Sequence, residues 1–173
     1  MNNWSRSISS VFRMYCEAKQ RDWTIRNMET TDLDQVMVIE NDSFVSPWSY
    51  HSFVQELDKQ ESFTWVAVFR EMVIGYIIGW YMIDEIHIGN LAVKRSWRTK
   101  GIAKGLIQHC LENRGTFSMA ILEVRRSNIV AQTLYQKMGF HAAGIRSNYY
   151  QKESEDAIIM VKHLVFQVNQ MED

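Results

Sequence analysis

The run from Leu91 to Leu106, Leu-Ala-Val-Lys-Arg-Ser-Trp-Arg-Thr-Lys-Gly-Ile-Ala-Lys-Gly-Leu, constrains this chain more than any other stretch. An apolar strand ends at Val93, a short basic loop follows, and Ile102, Leu106 and Ile107 then recur at helical spacing. Gly101 and Ala103 stand where the helix begins. Small residues there let backbone N–H groups come close to a ligand, and the open N-terminus of a helix favours anions. Arg95, Arg98, Lys100 and Lys104 surround that cradle with positive charge. The combination points to a pyrophosphate-binding loop, although an ordinary strand-to-helix turn with solvated basic residues fits the loop alone equally well. No Gly-Lys-Ser/Thr closes it as in a Walker loop, and the three-glycine dinucleotide fingerprint is absent.

The totals frame what can surround such a loop. A chain of 173 residues with 46% hydrophobic and 12% aromatic content can build the core of one domain, which argues against global disorder. A formal net charge of −1 argues against a dedicated nucleic-acid binder. Cys16 and Cys110 are far apart and lack metal-ligand spacing, so a reducing, cytoplasmic setting without disulfides or metal is expected. No apolar run reaches membrane-spanning length, and the first residues lack a signal-peptide core.

Along the chain, residues 1–22 read as an N-terminal extension, with Ile8, Val11, Phe12 and Tyr15 at helix-like intervals. Trp23 to Arg26 alternates as a first strand. Thr30 or Thr31 is expected to cap a helix that buries Leu33, Val36, Met37 and Ile39. Asn41 to Ser49 has the composition of a loop, rich in aromatic residues and suited to a substrate wall or to closing the core. Ser46 or Ser49 is placed to cap a second helix through Leu57. Three β-rich runs follow, Phe63–Phe69, Val73–Ile83 and Glu85–Val93, linked by tight reversals. After the basic loop, a helix over Gly101–Asn113 stops near Gly115, and Met119–Val124 forms a buried strand. Asn128 caps a helix carrying Ile129, Ala131, Leu134, Tyr135 and Met138. Strands at Phe140–Ile145 and Ala157–Val161 close the domain at residue 164, leaving 165–173 as a tail. The order implies a mixed α/β sheet, antiparallel at hairpins and parallel where a helix crosses over.

Glu123 interrupts an apolar strand, where a carboxylate needs a partner or water. It is either salt-bridged, to Arg125 or another cation, or it is a base at a cleft. Tyr135, twelve positions later, falls on the buried side of the next helix, where a tyrosine is ordinarily core with its hydroxyl satisfied. A strand-helix pair can still bring both side chains to one opening.

Arg98-Thr99-Lys100-Gly101-Ile102-Ala103 resembles the Arg/Gln-x-x-Gly-x-Gly/Ala signature of the GNAT superfamily of acyl-CoA-dependent N-acetyltransferases. Leu122 to Phe140, Ile145 to Tyr150, Glu155 to Met160, Pro47-Trp48-Ser49 and Asn90 to Val93 resemble the RimI-type ribosomal-protein alanine N-acetyltransferases, over roughly Trp23 to Leu164. The resemblance implies a GNAT fold with a mostly antiparallel mixed sheet, a central strand splay and about four helices. It implies Glu123 as base and Tyr135 as acid. It implies acetyl-CoA contacts at Leu91, Ala92 and Val93, at Thr99, Lys100, Gly101, Ile102, Ala103 and Lys104, and at Asn128, with no metal. The implied partner is a protein N-terminus, in that family the alanine of ribosomal small-subunit protein 18, with Arg146, Tyr149 and Tyr150 along the peptide slot. No nucleic acid or membrane contact is expected, and the enzyme is expected to be a monomer or weak dimer.

The extension before Trp23, Val45-Ser46 ahead of Pro47, and Arg126 in place of a small residue depart from the family pattern. They bear on the acceptor rather than on the reaction. Glu85 and His87 are rival bases. Acetylation of a polyamine or aminoglycoside, and a non-catalytic acyl-CoA-binding module, are the rival functions. A small-amine site calls for clustered acidic residues on the acceptor wall, which the sequence does not suggest.

Overall fold

A computed structural model describes residues 22–113 and 117–164. The part of the N-terminal extension with Ile8 to Tyr15 at helix-like intervals, the stop near Gly115 and the tail from 165 lie outside the described residues. The elements are β1 (Thr24–Asn27), α1 (Leu33–Ser43), α2 (Tyr50–Asp58), β2 (Ser62–Phe69), β3 (Met72–Met82), β4 (Glu85–Val93), α3 (Ile102–Glu112), β5 (Met119–Arg125), α4 (Ile129–Lys137), β6 (His141–Tyr150) and β7 (Glu155–His163). Their order is the one read from the sequence.

Local chemistry sets several boundaries differently from expectation. Neither Thr30 nor Thr31 caps α1. A 3-10 turn over Thr30–Asp32 precedes it, closed by reciprocal bonds of Glu29 and Asp32, and Asp32 is held by both guanidinium nitrogens of Arg26 at 2.6 and 2.7 Å. Helix α1 also runs on through Asn41 to Ser43, residues expected in the loop. Its buried face holds Leu33, Val36 and Ile39, while Met37 is only partly buried. Of the two candidate caps for α2, Ser49 acts, accepting from the Ser52 N–H at 3.1 Å. Asn128 caps α4 as expected, its Oδ1 accepting from the Ala131 N–H at 3.1 Å. The final hairpin is longer than expected, because β6 continues to Tyr150 and β7 starts at Glu155.

The sheet order is β1-β2-β3-β4-β5-β7-β6. Among the described residues only β4 and β5 pair in parallel; after the second helical crossover the chain passes one position, and β7 fills the gap antiparallel to both neighbours. The parallel pairing runs from Glu85↔Met119 to Ile88↔Leu122 and stops. Beyond it the two central strands splay. Strand alternation sends Phe63, Trp65, Ala67, Ala120, Leu122 and Val124 to one face, packed with Ile102, Leu106 and Ile107 of α3 and Tyr135 of α4. Val66, Val68, Tyr76, Ile78 and Ala92 face the other way, against Leu33, Val36 and Ile39 of α1 and Phe53 of α2. Helices thus cover both faces, and the splay is the one place where the middle of the sheet opens.

Candidate active site

Glu123 is the first β5 residue after the splay point, paired only with Ile159 of β7. Its neighbours Leu122 and Val124 point into the α3/α4 core, so alternation turns Glu123 to the α1/α2 face. There it lines a cleft of about 410 Å³ with Glu40 and Phe44 of α1, Ser46 and Trp48 of the α1–α2 loop, Trp80, and Gly89 and Asn90 of β4. The rim is Arg125 and the β6–β7 turn, including Tyr149, Tyr150 and Glu153.

The cation beside Glu123 is Arg146, at 3.4 Å, rather than Arg125. Arg125 instead reaches Glu153 at 3.2 Å and Glu155 at 3.5 Å and lies 3.7 Å from the centre of the Tyr150 ring. Of the three residues expected along the peptide slot, Tyr149 and Tyr150 line the cleft, and Arg146 stands behind them on Glu123. Trp48 and Phe44 pack on the α1/α2 core and also form the cleft wall. Arg126 pairs with Asp156 at 3.7 Å, away from the cleft lining.

Tyr135 lies on the opposite side of the sheet. It is 8% exposed, packs edge-on against Phe140, and is not part of the cleft lining. Burial pushes its phenol well above the usual range, and the neighbouring Tyr150 adds to that push. Burial likewise raises Tyr150, to about 12, with Arg125 opposing and Glu123 among the charges that add to it. Tyr150 therefore sits within electrostatic reach of both Glu123 and Tyr135. The base and acid candidates approach the splay from the two faces of the sheet rather than from one shared pocket.

The rival bases lie elsewhere. Glu85 and His87 bond to each other at 2.8 Å at the far end of β4 and do not line the cleft. Three carboxylates do line it, Glu40, Glu123 and Glu153, together with the cations Arg125 and Lys152, so acidic residues are present in the cleft where the sequence suggested no cluster.

Past the cleft, Leu91, Ala92 and Val93 carry β4 into the basic loop. Here too the details differ from a ring of free cations. The Arg98 guanidinium is turned inward, donating to Val93 O and Ser43 Oγ at 3.1 Å each, and the Lys100 ammonium sits 4.7 Å from the Trp97 ring centre. Thr99 and Gly101 both have positive φ, 63° and 83°, which turns the chain sharply into α3. A Cβ built on Gly101 would meet nothing within 4 Å. The glycine is thus required by its backbone conformation and leaves a hollow at the helix end. No side chain caps α3 there, so the first-turn N–H groups of Ile102, Ala103 and Lys104 face that hollow without a capping acceptor. This is the environment a diphosphate fits. Asn128, by contrast, spends its side-chain oxygen on capping α4. Among the described residues no cluster of metal-ligating side chains occurs, and no helix is long and apolar enough to cross a membrane.

Sequence reasoning missed Glu40 and Trp80; Ser46 lies in the loop it did single out. Glu40 had a usable signal, since it falls four residues after Val36 and seven after Leu33 on the buried face of α1.

Comparison with known proteins identifies the family. Residues 29–162 match the acetyltransferase (GNAT) domain family. The chain is 34% identical over 142 residues to the ribosomal protein bS18-alanine N-acetyltransferase of Escherichia coli K12, covering 79% of this chain and 95% of that one. It is 31% identical over 161 residues to an N-alpha-acetyltransferase of Saccharolobus solfataricus, covering 84% and 96%. The crystal structure of the Escherichia coli ribosomal-protein-S18-alanine N-acetyltransferase superposes with a TM-score of 0.76 at 30% identity, over 87% of this chain and 99% of that one. Arabidopsis thaliana NAA60 in complex with acetyl-CoA shares the fold, with a TM-score of 0.74 at 21% identity over 82% and 98%. The chain belongs to the GNAT acetyltransferase family and is an N-acetyltransferase.

Proposed function

We propose that this enzyme transfers an acetyl group to the N-terminal α-amine of a protein, with the alanine of ribosomal small-subunit protein 18 as acceptor. The observation that carries the proposal is the position of Glu123. It places a carboxylate on β5 at the point where β4 and β5 part, in a cleft walled by aromatic side chains and continuous with the strand that leads to the uncapped end of α3. Acetyl-CoA, when bound, supplies a thioester-activated acetyl group. The loop Thr99 to Lys104 would hold its diphosphate through backbone N–H groups, and the splayed β4 edge at Leu91, Ala92 and Val93 would bind the extended arm as an added strand binds a sheet edge.

Glu123 takes the proton that the acceptor ammonium must lose before its nitrogen can attack. Arg146, its present partner, is displaced by the cationic acceptor or holds the carboxylate in place beside it. Tyr135 is protonated at neutral pH, and its hydroxyl would donate a proton to the leaving sulfur. Tyr149 and Tyr150 hold the peptide against the α1–α2 loop.

Loss of a general base is expected to lower kcat by about 100-fold or more in Glu123→Gln, and Tyr135→Phe lowers it as well, while Glu85→Gln stays near wild type. Steady-state kinetics with an alanine-initiated peptide decides this, and an active Glu123→Gln enzyme overturns the assignment. Mass spectrometry of ribosomal proteins from cells with and without the chain tests the acceptor by the loss of one N-terminal acetyl group. A second function is favoured by the three cleft carboxylates: a free polyamine is an alternative acceptor, and competition between the peptide and spermidine separates the two.

A further inference from the structure

Glu40 projects from the buried face of α1 to the floor of the acceptor cleft and is 1% exposed. Its carboxylate accepts from the Trp48 N–H at 2.7 Å, from the Tyr76 hydroxyl, and from Asn90 Nδ2 at 3.3 Å to each oxygen. All of these donors are neutral. Burial, followed by the charge of Glu40, pushes the Tyr76 phenol far above its usual range, so Tyr76 remains a donor and does not exchange its proton away. Among the described residues no Lys, Arg or His lies within 4 Å of Glu40. Hydrogen bonds recover part of the solvation an ionised carboxylate loses on burial, but not the missing counter-charge.

A second incomplete group stands on the same wall. Ser46 Oγ is enclosed and has no hydrogen-bond partner, and Ser46 lines the cleft beside Glu40. A buried hydroxyl without a partner and a buried carboxylate without a cation thus stand side by side at an open cleft.

We infer that Glu40 is the charge that recognises the acceptor's α-ammonium, and that it distinguishes the amine from the acetylated product. The inference rests on the cleft taking an amine acceptor, as proposed above. Glu40 is a positioning residue: its oxygens are occupied by Trp48, Tyr76 and Asn90, and it acts through its field across a poorly solvated floor. Acetylation replaces the ammonium with a neutral amide, so the same field that draws the substrate in gives no hold on the product. Glu123 then removes a proton from an ammonium that Glu40 has helped to seat.

Calorimetric titration of the full chain with an alanine-initiated peptide and with the same peptide already N-acetylated tests this without catalysis. Wild type is expected to bind the free amine at least about tenfold more tightly than the acetylated form, and Glu40→Gln to lose that preference while binding the acetylated peptide and CoA as before. A Glu40→Gln chain that keeps the preference, or that weakens toward both peptides equally, overturns the role of Glu40. Should Glu40→Gln fold poorly, Ser46→Lys places a cation beside Glu40 without touching its hydrogen bonds. That variant is expected to lose affinity for the free amine and keep it for the acetylated peptide; unchanged preference there refutes the proposal equally. A wild type that binds neither peptide overturns the acceptor assignment itself, and with it this inference.

Discussion

Gly89 offers the sharpest test of how the acceptor cleft is built. β4 bulges there, since Ile78 pairs with Asn90 and Gly79 with Ile88, leaving Gly89 unpaired. A Cβ at this position would lie 2.3 Å from both Cη2 and Cζ3 of Trp80. Normal carbon contact is about 3.5 Å or more, so Gly89→Ala must drive the indole back by roughly 1 Å. The ring is not free to retreat. Trp80 Nε1 donates to Glu56 Oε2 at 2.7 Å, and the indole stacks on Trp48 with centroids 6.2 Å apart. Overpacking costs about 1–3 kcal/mol, and stretching the indole bond beyond hydrogen-bonding distance adds about 1 kcal/mol. A loss of about 3 kcal/mol lowers Tm by roughly 6–12 °C in a chain of this size. Thermal unfolding followed by circular dichroism reads the stability, and kinetics read the cleft: KM for the peptide rises while KM for acetyl-CoA holds. Trp80→Ala placed on top of Gly89→Ala removes the clash, so the double variant is more stable than the sum of the single losses by at least about 1 kcal/mol. A Gly89→Ala chain with wild-type Tm and wild-type peptide KM refutes the packing argument.

Gly101→Val forces a β-branched residue to a φ of 83° and fills the hollow at the start of α3. The strain costs about 1–2 kcal/mol, and KM for acetyl-CoA is expected to rise by about tenfold or more with peptide KM unchanged; an unaltered acetyl-CoA KM counts against the loop as its site. Asp32 gives a pH prediction. Burial pushes its carboxyl up, but the bonds from Arg26 and the Glu29 N–H outweigh that and hold it below 3.8. A depressed folded pKa contributes stability that is complete above the unfolded value and lost as pH falls through the folded one. The Tm gap between wild type and Asp32→Asn is therefore expected to be constant down to about pH 4 and to close below it; a gap unchanged at pH 3 contradicts the ion pair's role.

The order of elements and the strand-loop-helix unit were legible because they rest on local signals: period, caps and a glycine at a positive φ. The boundaries that moved did so for tertiary reasons. Helix α1 runs through Asn41 and Asp42, polar residues that read as loop, because Glu40 behind them is anchored by Trp48, Tyr76 and Asn90. Arg98 reads as a ligand-facing cation by composition, yet Val93 O and Ser43 Oγ, one of them 55 residues away, capture it. The partner of Glu123 follows from β7 inserting between β5 and β6, which puts Arg146 within reach across one strand. No local pattern encodes that insertion.

Ending the β4–β5 ladder at Ile88↔Leu122 leaves backbone groups of two central strands without strand partners, which a protein ordinarily avoids because each unmade buried hydrogen bond is costly. Here the cost sits at one point where the two faces of the sheet meet. On one face are neutral donors around a carboxylate, on the other a phenol packed edge-on against Phe140, and β4 itself continues from the first toward the end of α3. An acyl carrier lying along the splayed edge would complete the ladder, and an amine entering from the α1–α2 side would complete the charge on the cleft floor. Each ligand thus repairs a deficit the fold carries alone, so each is expected to raise Tm by itself. Because the two deficits lie on different elements, a saturating level of either should leave the stabilisation by the other largely intact. Strongly non-additive shifts would instead place both ligands on a single group and remove the division of labour between the faces.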